Sequence, residues 1–326
     1  MLVLVTGAAG FIGSHVAQAL LTRGDEVWGV DNLNDYYSVA LKRARLERLV
    51  AHPRFAFFEA DIADPAAMTA LVGRHGETAG IIHLAAQAGV RYSLENPLAY
   101  AHSNMQGQVV MLEAARRLKR LRSFVFASSS SVYGGNTKLP FAVEDRVDHP
   151  ISLYAATKRA AELVAHSYSH LFGIPSLGLR YFTVYGPWGR PDMAAYLFAD
   201  AIMAGRPIKV FNGGRMARDF TYIDDIVAGT VAALDRPPGG APPYRLYNLG
   251  NHRPEPLPRF IALLEAALGR PARQDLLPMQ PGDVAQTFAD IEASRRDLGF
   301  EPRTPIEEGI PKFVDWYKRY HGLDQP

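Results

Sequence analysis

Tyr154 and Lys158 stand four residues apart in a stretch whose spacing predicts a helix from about Leu153 to Phe172, with Ser152 as its N-cap. The two side chains therefore share one helix face. An ammonium beside a phenol favours the phenolate and lowers the tyrosine pKa towards working pH, which suits general acid–base work. By itself a Tyr-x-x-x-Lys spacing is common and usually marks a solvated face. Upstream, Ser128-Ser129-Ser130-Ser131-Val132-Tyr133-Gly134 closes an apolar run, Ser123–Ser128, that reads as a buried strand. Hydroxyls there sit at the carboxyl edge where doubly wound sheets bind ligands, which favours a site over a serine linker.

A second chemistry lies near the N-terminus. Gly7-Ala8-Ala9-Gly10-Phe11-Ile12-Gly13 joins a predicted strand, Leu2–Thr6, to a predicted helix, Phe11–Arg23, that Gly24 closes. Glycine allows the tight turn and lets backbone N–H groups approach a pyrophosphate, and the helix N-terminus adds partial positive charge. A lone glycine motif is weak. Here the next strand, Glu26–Asp31, ends on an acidic residue placed to hold the hydroxyls of an adenosine ribose. That carboxylate repels a 2′-phosphate and no arginine immediately follows it, so NAD is expected rather than NADP. Asp61, after the strand Phe55–Glu59, is a candidate for the adenine amino group and equally for capping the helix that starts near Pro65.

The elements that must position these groups alternate in type. Further strands are expected at Gly80–Leu84 and Leu177–Phe182, separated by helical stretches in the pattern of parallel βαβ units. The expected fold is α/β: a doubly wound (Rossmann) parallel sheet over residues 1–175, with a smaller, mostly C-terminal α/β substrate lobe over 176–326. Segments near 222–234 and 246–249 are expected to return to the first lobe. Gly186, Pro187, Gly189, Pro191 and the run Pro237–Pro243 mark loops that define a substrate.

Composition sets the outer bounds. A chain of 326 residues can bury a large interior, and 48% hydrophobic with 21% charged residues argues against disorder. The net charge of +2 comes from mixed signs without a basic block, so no nucleic-acid surface is expected. The absence of cysteine excludes disulfides, zinc–thiolate sites and a cysteine nucleophile. Leu2–Val5 is too short an apolar run for a signal segment or membrane span, so a soluble, cytoplasmic enzyme without a membrane partner is expected. His166 and His170 sit at helical spacing with no third ligand in view, so no metal site is expected.

Taken together, the glycine pattern, His83-Leu84-Ala85-Ala86, the serine run before Val132-Tyr133-Gly134 and Tyr154-x-x-x-Lys158 resemble the extended short-chain dehydrogenase/reductases, the NAD-dependent epimerase/dehydratase family, over nearly the whole chain. The resemblance implies that Ser129 hydrogen-bonds a sugar oxygen, Tyr154 is the general base and Lys158 also holds the nicotinamide ribose. Cofactor contacts are implied from Gly7, Gly10, Phe11, Ile12, Gly13, Asp31, Asn32, Asp61, Ile62, Leu84, Ala85, Ala86 and Tyr181, besides Tyr154 and Lys158. Relatives that eliminate water carry an acidic residue or an Asp-Glu pair where this chain has Ser130 and Ser131. UDP-xylose synthases carry Glu at the position of Ser131. Serines replace such proton donors and acceptors poorly.

Leu179-Arg180-Tyr181-Phe182-Thr183-Val184-Tyr185-Gly186-Pro187-Trp188-Gly189-Arg190-Pro191-Asp192-Met193 is similar to UDP-glucuronate 4-epimerases, as are Asp31-Asn32-Leu33-Asn34-Asp35-Tyr36-Tyr37 and Gln280-Pro281-Gly282-Asp283-Val284. UDP-galactose 4-epimerases place Asn where this chain has Thr183. The implied reaction interconverts UDP-glucuronate and UDP-galacturonate through a 4-keto sugar, with bound NAD regenerated each turnover. A C6 carboxylate needs hydroxyl and cationic donors, for which Ser130, Thr183 and Arg190 are the candidates. Arg190 is alternatively a loop arginine paired with Asp192. Arg218 matches the family arginine that neutralises the UDP pyrophosphate, and Val210 and Phe211 are expected to flank the uracil. Only Gln280 and Pro281 precede Gly282-Asp283, so a second pyrophosphate cation is unassigned. A UDP-glucose/galactose 4-epimerase, a UDP-glucuronate decarboxylase and a non-catalytic NAD-binding regulator stay open. Intact Ser129, Tyr154 and Lys158 weaken the last. A homodimer through helices at about Pro97–Leu118 and Leu153–Phe172 is implied by the family.

Overall fold

Runs of Val, Leu, Ile and Phe form the central strands, because a parallel sheet covered on both faces has no polar side to present. In the computed structural model, which describes residues 1–280 and 284–323, the strands are β1 (Leu2–Thr6), β2 (Glu26–Asp31), β3 (Phe55–Glu59), β4 (Gly80–His83), β5 (Ser123–Ser129) and β6 (Ser176–Tyr181). Then follow β7 (Thr183–Tyr185), β8 (Ile208–Phe211), β9 (Ala217–Tyr222), β10 (Tyr244–Leu249), β11 (Pro254–Pro256) and β12 (Gln274–Leu277). A seven-stranded sheet runs β10-β6-β5-β4-β1-β2-β3 with every pairing parallel. β6 and β10 lie beyond residue 175 yet belong to it. The strand order reverses beside β1, and a crevice for ligands opens at such a point.

The helices are α1 (Phe11–Arg23), α2 (Val39–Val50), α3 (Pro65–Arg74), α4 (Tyr92–Glu95), α5 (Pro97–Tyr100), α6 (Gly107–Arg116) and α7 (Leu153–Phe172). The later ones are α8 (Ala194–Met203), α9 (Ile223–Asp235), α10 (Leu257–Leu268), α11 (Glu292–Leu298) and α12 (Ile306–Tyr320). Successive residues of a strand face opposite sides. Val3 and Val5 accordingly enter the core beneath α1 and α9, and Leu4 enters the one beneath α3, α6 and α7. Ser152 caps α7, its Oγ accepting the Ala155 N–H at 3.1 Å, and Gly173 ends the helix in the left-handed conformation. Two small sheets, β11-β9-β7 and β12-β8, have α8, α10 and α12 packed around them. No helix among the described residues is long and apolar enough to cross a membrane.

Candidate active site

The glycine turn is shaped by contact, and larger residues do not fit it. Gly7 holds φ at +73°, and a Cβ there would lie 2.8 Å from the Ala85 nitrogen; one on Gly13 would lie 2.0 Å from the Gly7 carbonyl oxygen. Gly7 and Ala8 N–H groups both donate to Val30 O, at 2.7 and 3.1 Å, which hangs the turn from β2. No side chain caps α1 at Gly10, so the N–H groups of its first turn are left for an anionic ligand. Asp31 closes β2 and accepts the Ala9 N–H at 3.1 Å and the Leu33 N–H at 2.9 Å. Burial pushes its carboxyl up, with the Leu33 N–H and the Lys42 ammonium opposing. A carboxylate has acceptor sites beyond those two bonds, so turn, uncapped helix and Asp31 fit a dinucleotide with an unmodified ribose.

Asp61 does not cap the next helix. Asp64 does, accepting the Ala66 and Ala67 N–H groups at 2.8 and 3.1 Å. Asp61 instead accepts the Ala63 N–H at 2.8 Å, Asn32 Nδ2 at 3.3 Å and a bond from His102 Nε2 at 3.1 Å. Burial favours its neutral form, but those three partners together hold the carboxyl below its ordinary range. Ile62 packs on Gly107, where a Cβ would come within 2.6 Å of its Cδ1. Leu84 and Ala85 are fixed by Thr6, whose carbonyl and hydroxyl each accept an N–H at 3.2 Å. Tyr181 gives its hydroxyl to Thr230 in α9, at 2.9 Å, leaving its backbone as the part that can meet a cofactor.

At the end of β5 a single 3₁₀ turn, Ser130–Tyr133, follows Ser129. Ser129 Oγ accepts the Ser131 N–H and donates to Ser131 Oγ, both at 3.2 Å. Tyr154, in the first turn of α7, faces this hydroxyl. Burial raises the Tyr154 pKa, with Ser129 and the Arg190 charge acting against the rise. Lys158 Nζ donates to Ala127 O at 3.0 Å and lies 6.0 Å from the Tyr154 ring centre. Burial, then the nearby Arg190 charge, lowers Lys158 to about 8. The Lys158 ammonium donates to the Ala127 carbonyl, and burial outweighs the Ser129 hydrogen bond and the Arg190 charge at Tyr154.

Thr183 and Arg190 line one cleft together with Gly189 and Phe220. Arg190 forks onto Asp192, Nε to Oδ1 at 3.0 Å and Nη2 to Oδ2, and the Tyr36 hydroxyl donates to the same carboxylate at 3.0 Å. The pairing left open on sequence is thus present, and its Arg190 charge acts on both Tyr154 and Lys158. Ser130 is half-buried in the serine turn. On β8 the alternation of faces buries Val210 and leaves Phe211 half-buried, with the Arg91 guanidinium 4.6 Å from its ring centre. Arg218 on β9 donates to Ala217 O and Ala285 O, at 3.1 and 3.2 Å. Pro281, Gly282 and Asp283 lie outside the described residues. Among those described, no group of three His, Asp or Glu could hold a metal ion, and His166 packs edge-on against Tyr244.

The profile of the NAD dependent epimerase/dehydratase family matches residues 3–250. The chain belongs to that family. Among curated relatives, a UDP-glucuronate 4-epimerase of Arabidopsis thaliana is 48% identical, covering 99% of this chain and 76% of its own length. The CapI protein of Staphylococcus aureus is 46% identical over 98% of this chain and 99% of its own. Among solved structures, a UDP-glucuronic acid 4-epimerase from Bacillus cereus, in complex with UDP-glucuronic acid and NAD, superposes with a TM-score of 0.91 at 36% identity, covering 98% of this chain and 100% of that one. A UDP-glucose 4-epimerase of Thermotoga maritima, with UDP-glucose, gives 0.88 at 30% identity, covering 98% and 100%.

Several side chains around this family member's cleft escaped the sequence reading. Asn104 accepts the Gln87 N–H at 2.8 Å and donates to Gln87 O and Thr157 Oγ1, both at 3.0 Å, behind Tyr154. It lies in a π turn, Ala101–Gln106, whose wider register hides it from a 3.6-residue pattern. Tyr36 carried a signal, since it stands in the Asp31–Tyr37 segment, but nothing there told that its hydroxyl reaches Asp192. His102, Arg91 and Arg45 had no sequence signal, because each meets a partner more than 30 residues away.

Proposed function

We propose that this protein is a UDP-glucuronate 4-epimerase, interconverting UDP-glucuronate and UDP-galacturonate. One observation supports the reading: Ser129 and the Arg190 charge both act on Tyr154, beside a turn where Ser130 and Ser131 occupy the positions at which eliminating relatives need an acid. NAD on the glycine turn supplies a hydride acceptor and donor at C4. Tyr154 takes the proton of the C4 hydroxyl and later returns it, Ser129 orients that oxygen, and Lys158 stabilises the charge that forms. Arg218 and Phe211 hold the UDP as the pivot on which the 4-keto sugar turns over. That intermediate is a β-keto acid, which loses CO₂ when its carboxylate bond aligns with the ketone. Ser130, Thr183 and Arg190 keep the carboxylate out of that alignment.

The same reading assigns residues 1–175 to cofactor binding and 176–326 to substrate, except that β6, α9 and β10 belong with the first lobe. It also pairs two copies through the stretch from α5 through the π turn to α6, and through α7, where Leu98, Met105, Val109 and Leu163 are exposed apolar side chains; sedimentation velocity checks this. A cytoplasmic location belongs to the proposal and is checked by cell fractionation. The deciding experiment is incubation with UDP-glucuronate, followed by sugar-nucleotide chromatography. UDP-galacturonate should appear without added NAD, and denaturing the purified protein should release near-stoichiometric NAD. A strict demand for added NAD, consumed in step with product, replaces the epimerase by a net dehydrogenase. A UDP-pentose as main product makes it a decarboxylase.

A further inference from the structure

Arg45, in α2, is a guanidinium without solvent exposure whose hydrogen-bond partners are carbonyls and a phenol. Nη1 donates to Ala9 O at 3.1 Å and to the Tyr37 hydroxyl at 2.7 Å. Nε and Nη2 donate to Trp188 O at 3.1 and 2.7 Å, and Nη2 also reaches Gly189 O at 3.1 Å. Ala9 belongs to the glycine turn, and Trp188 and Gly189 lead directly into Arg190. One planar, rigid fork thus ties the cofactor turn to the loop that carries Arg190. A fully buried cation is costly to keep, and an apolar side chain could fill its space, so the fork must serve geometry.

The loop it holds is strained. Trp188 has φ of +63°, a left-handed conformation uncommon for a bulky residue. Its carbonyl receives two of the Arg45 N–H groups. The Arg48 guanidinium lies 4.9 Å over its ring, and Trp316 and Tyr320 pack at 5.3 and 5.5 Å. The ring is fixed from outside and the carbonyl from beneath. Displacing the glycine turn must tilt the guanidinium plane and disturb Trp188 and Gly189 with it.

We propose that Arg45 is a positioning residue that couples the cofactor turn to the placement of Arg190, so that the carboxylate anchor is set only when the turn has its cofactor-bearing shape. The effect on product rests on the uronate reading above; the coupling of the two loops does not. Arg45→Lys keeps the charge and most of the volume, but its donors radiate from one atom and cannot fork across both loops.

In the NAD-loaded protein, Arg45→Lys should let amides of 186–193 and of 7–13 exchange hydrogen roughly tenfold faster, with β5 and β6 unchanged. It should also raise the share of UDP-glucuronate turnovers that release CO₂, lower the NAD retained through gel filtration, and leave UDP affinity within about twofold. Acceleration in only one of the two segments, or in neither, overturns the proposal. So does acceleration throughout the sheet, which marks a merely structural arginine. Tyr37→Phe removes one partner of the fork with little change of volume, and should give the same paired acceleration at smaller amplitude should Arg45→Lys fail to fold. Arg190→Ala is measured in parallel. An unchanged product ratio there defeats the uronate reading, while exchange in the two segments still decides the coupling.

Discussion

Glu162 grips Arg180 through both carboxylate oxygens, Oε1 to Nε at 2.8 Å and Oε2 to Nη2 at 2.9 Å, with neither side chain reaching solvent. Glu162 lies one turn beyond Lys158 on α7, and Arg180 pairs with Ser128 across β5 and β6. Ser128 Oγ donates to the same carboxylate at 2.6 Å, and the Arg180 guanidinium sits 4.9 Å from the centre of the Tyr133 ring. The pair therefore joins the helix bearing Tyr154 and Lys158 to β6, and through Ser128 to the strand ending in Ser129.

Removing Glu162 leaves the Arg180 charge buried and uncompensated, whereas Glu162 would keep a second partner in Arg159, whose Nη1 donates to Oε2 at 3.0 Å. Glu162→Gln should cost about 3–5 kcal/mol of stability, read from urea unfolding. Glu162→Gln combined with Arg180→Met should recover part of that loss, because the double variant buries no ion. A single variant within about 1 kcal/mol of the parent would show that water reaches the pair.

Tyr154→Phe removes the hydroxyl to which the proposed mechanism gives proton transfer. Turnover should fall on the order of 10²–10⁴-fold, with UDP affinity and fold retained. Stopped assays on UDP-glucuronate and titration with UDP check both halves. A Phe variant that keeps most of its activity reduces Tyr154 and Lys158 to a helix face.

The parallel strands and α7 were legible because each carries a short-range signal: apolar runs, a glycine turn, or a serine cap at 152. Strand ends needed correction by a single residue, as at His83 and Ser129, where hydrogen bonding rather than hydropathy decides. Ser129, Tyr154 and Lys158 could be proposed for the same reason, standing in two local patterns that resemble the family's. What remained hidden depends on tertiary approach. The Tyr154 pKa is set by burial that no spacing reveals, and the Arg45 fork joins residues 143 and 144 positions apart. Asp61 was ambiguous until Asp64 proved to be the cap.

Two buried groups give acid stability opposite signs. His83, hydrogen-bonded to Thr6 Oγ1 at 2.7 Å, is lowered to about 3 by burial and then by the Lys158 charge. Between that value and its ordinary 6.5 the native state refuses a proton that the unfolded chain accepts, so stability is lost as pH falls. Asp219 is raised to about 6 by burial, against the N–H groups of Ala289, Asn251 and His252. From its ordinary 3.8 up to about 6 the native state holds the extra proton, so stability is gained as pH falls. Each contributes at most about 1.4 kcal/mol per pH unit. Urea midpoints measured from pH 7 to 4.5 should therefore fall less steeply in His83→Gln and more steeply in Asp219→Asn. Unchanged slopes in both would mean that the two groups titrate as in the unfolded chain.

Arg190 and Thr183 carry the uronate assignment, and the Asp192 pairing sharpens its test. An arginine held by one carboxylate can turn a remaining edge to another, so Arg190 can present charge to C6 while Asp192 and Tyr36 fix its direction. Arg190→Ala and Thr183→Val should weaken binding of UDP-glucuronate by about 1.5–3 kcal/mol, the range for a charge-assisted bond sheltered from water. UDP alone, held at Arg218 and Phe211, should bind as before. Both variants should also release CO₂ and a 4-keto pentose in a fraction of turnovers, since the carboxylate is freer to align with the ketone. Asp192→Asn separates anchoring from aiming: it leaves the Arg190 charge in place but frees its direction, so leakage should rise with less loss of affinity. If both anchor variants keep the parent's uronate affinity without leakage, or if the parent prefers UDP-glucose, the substrate is a neutral hexose and only the C4 epimerisation stands.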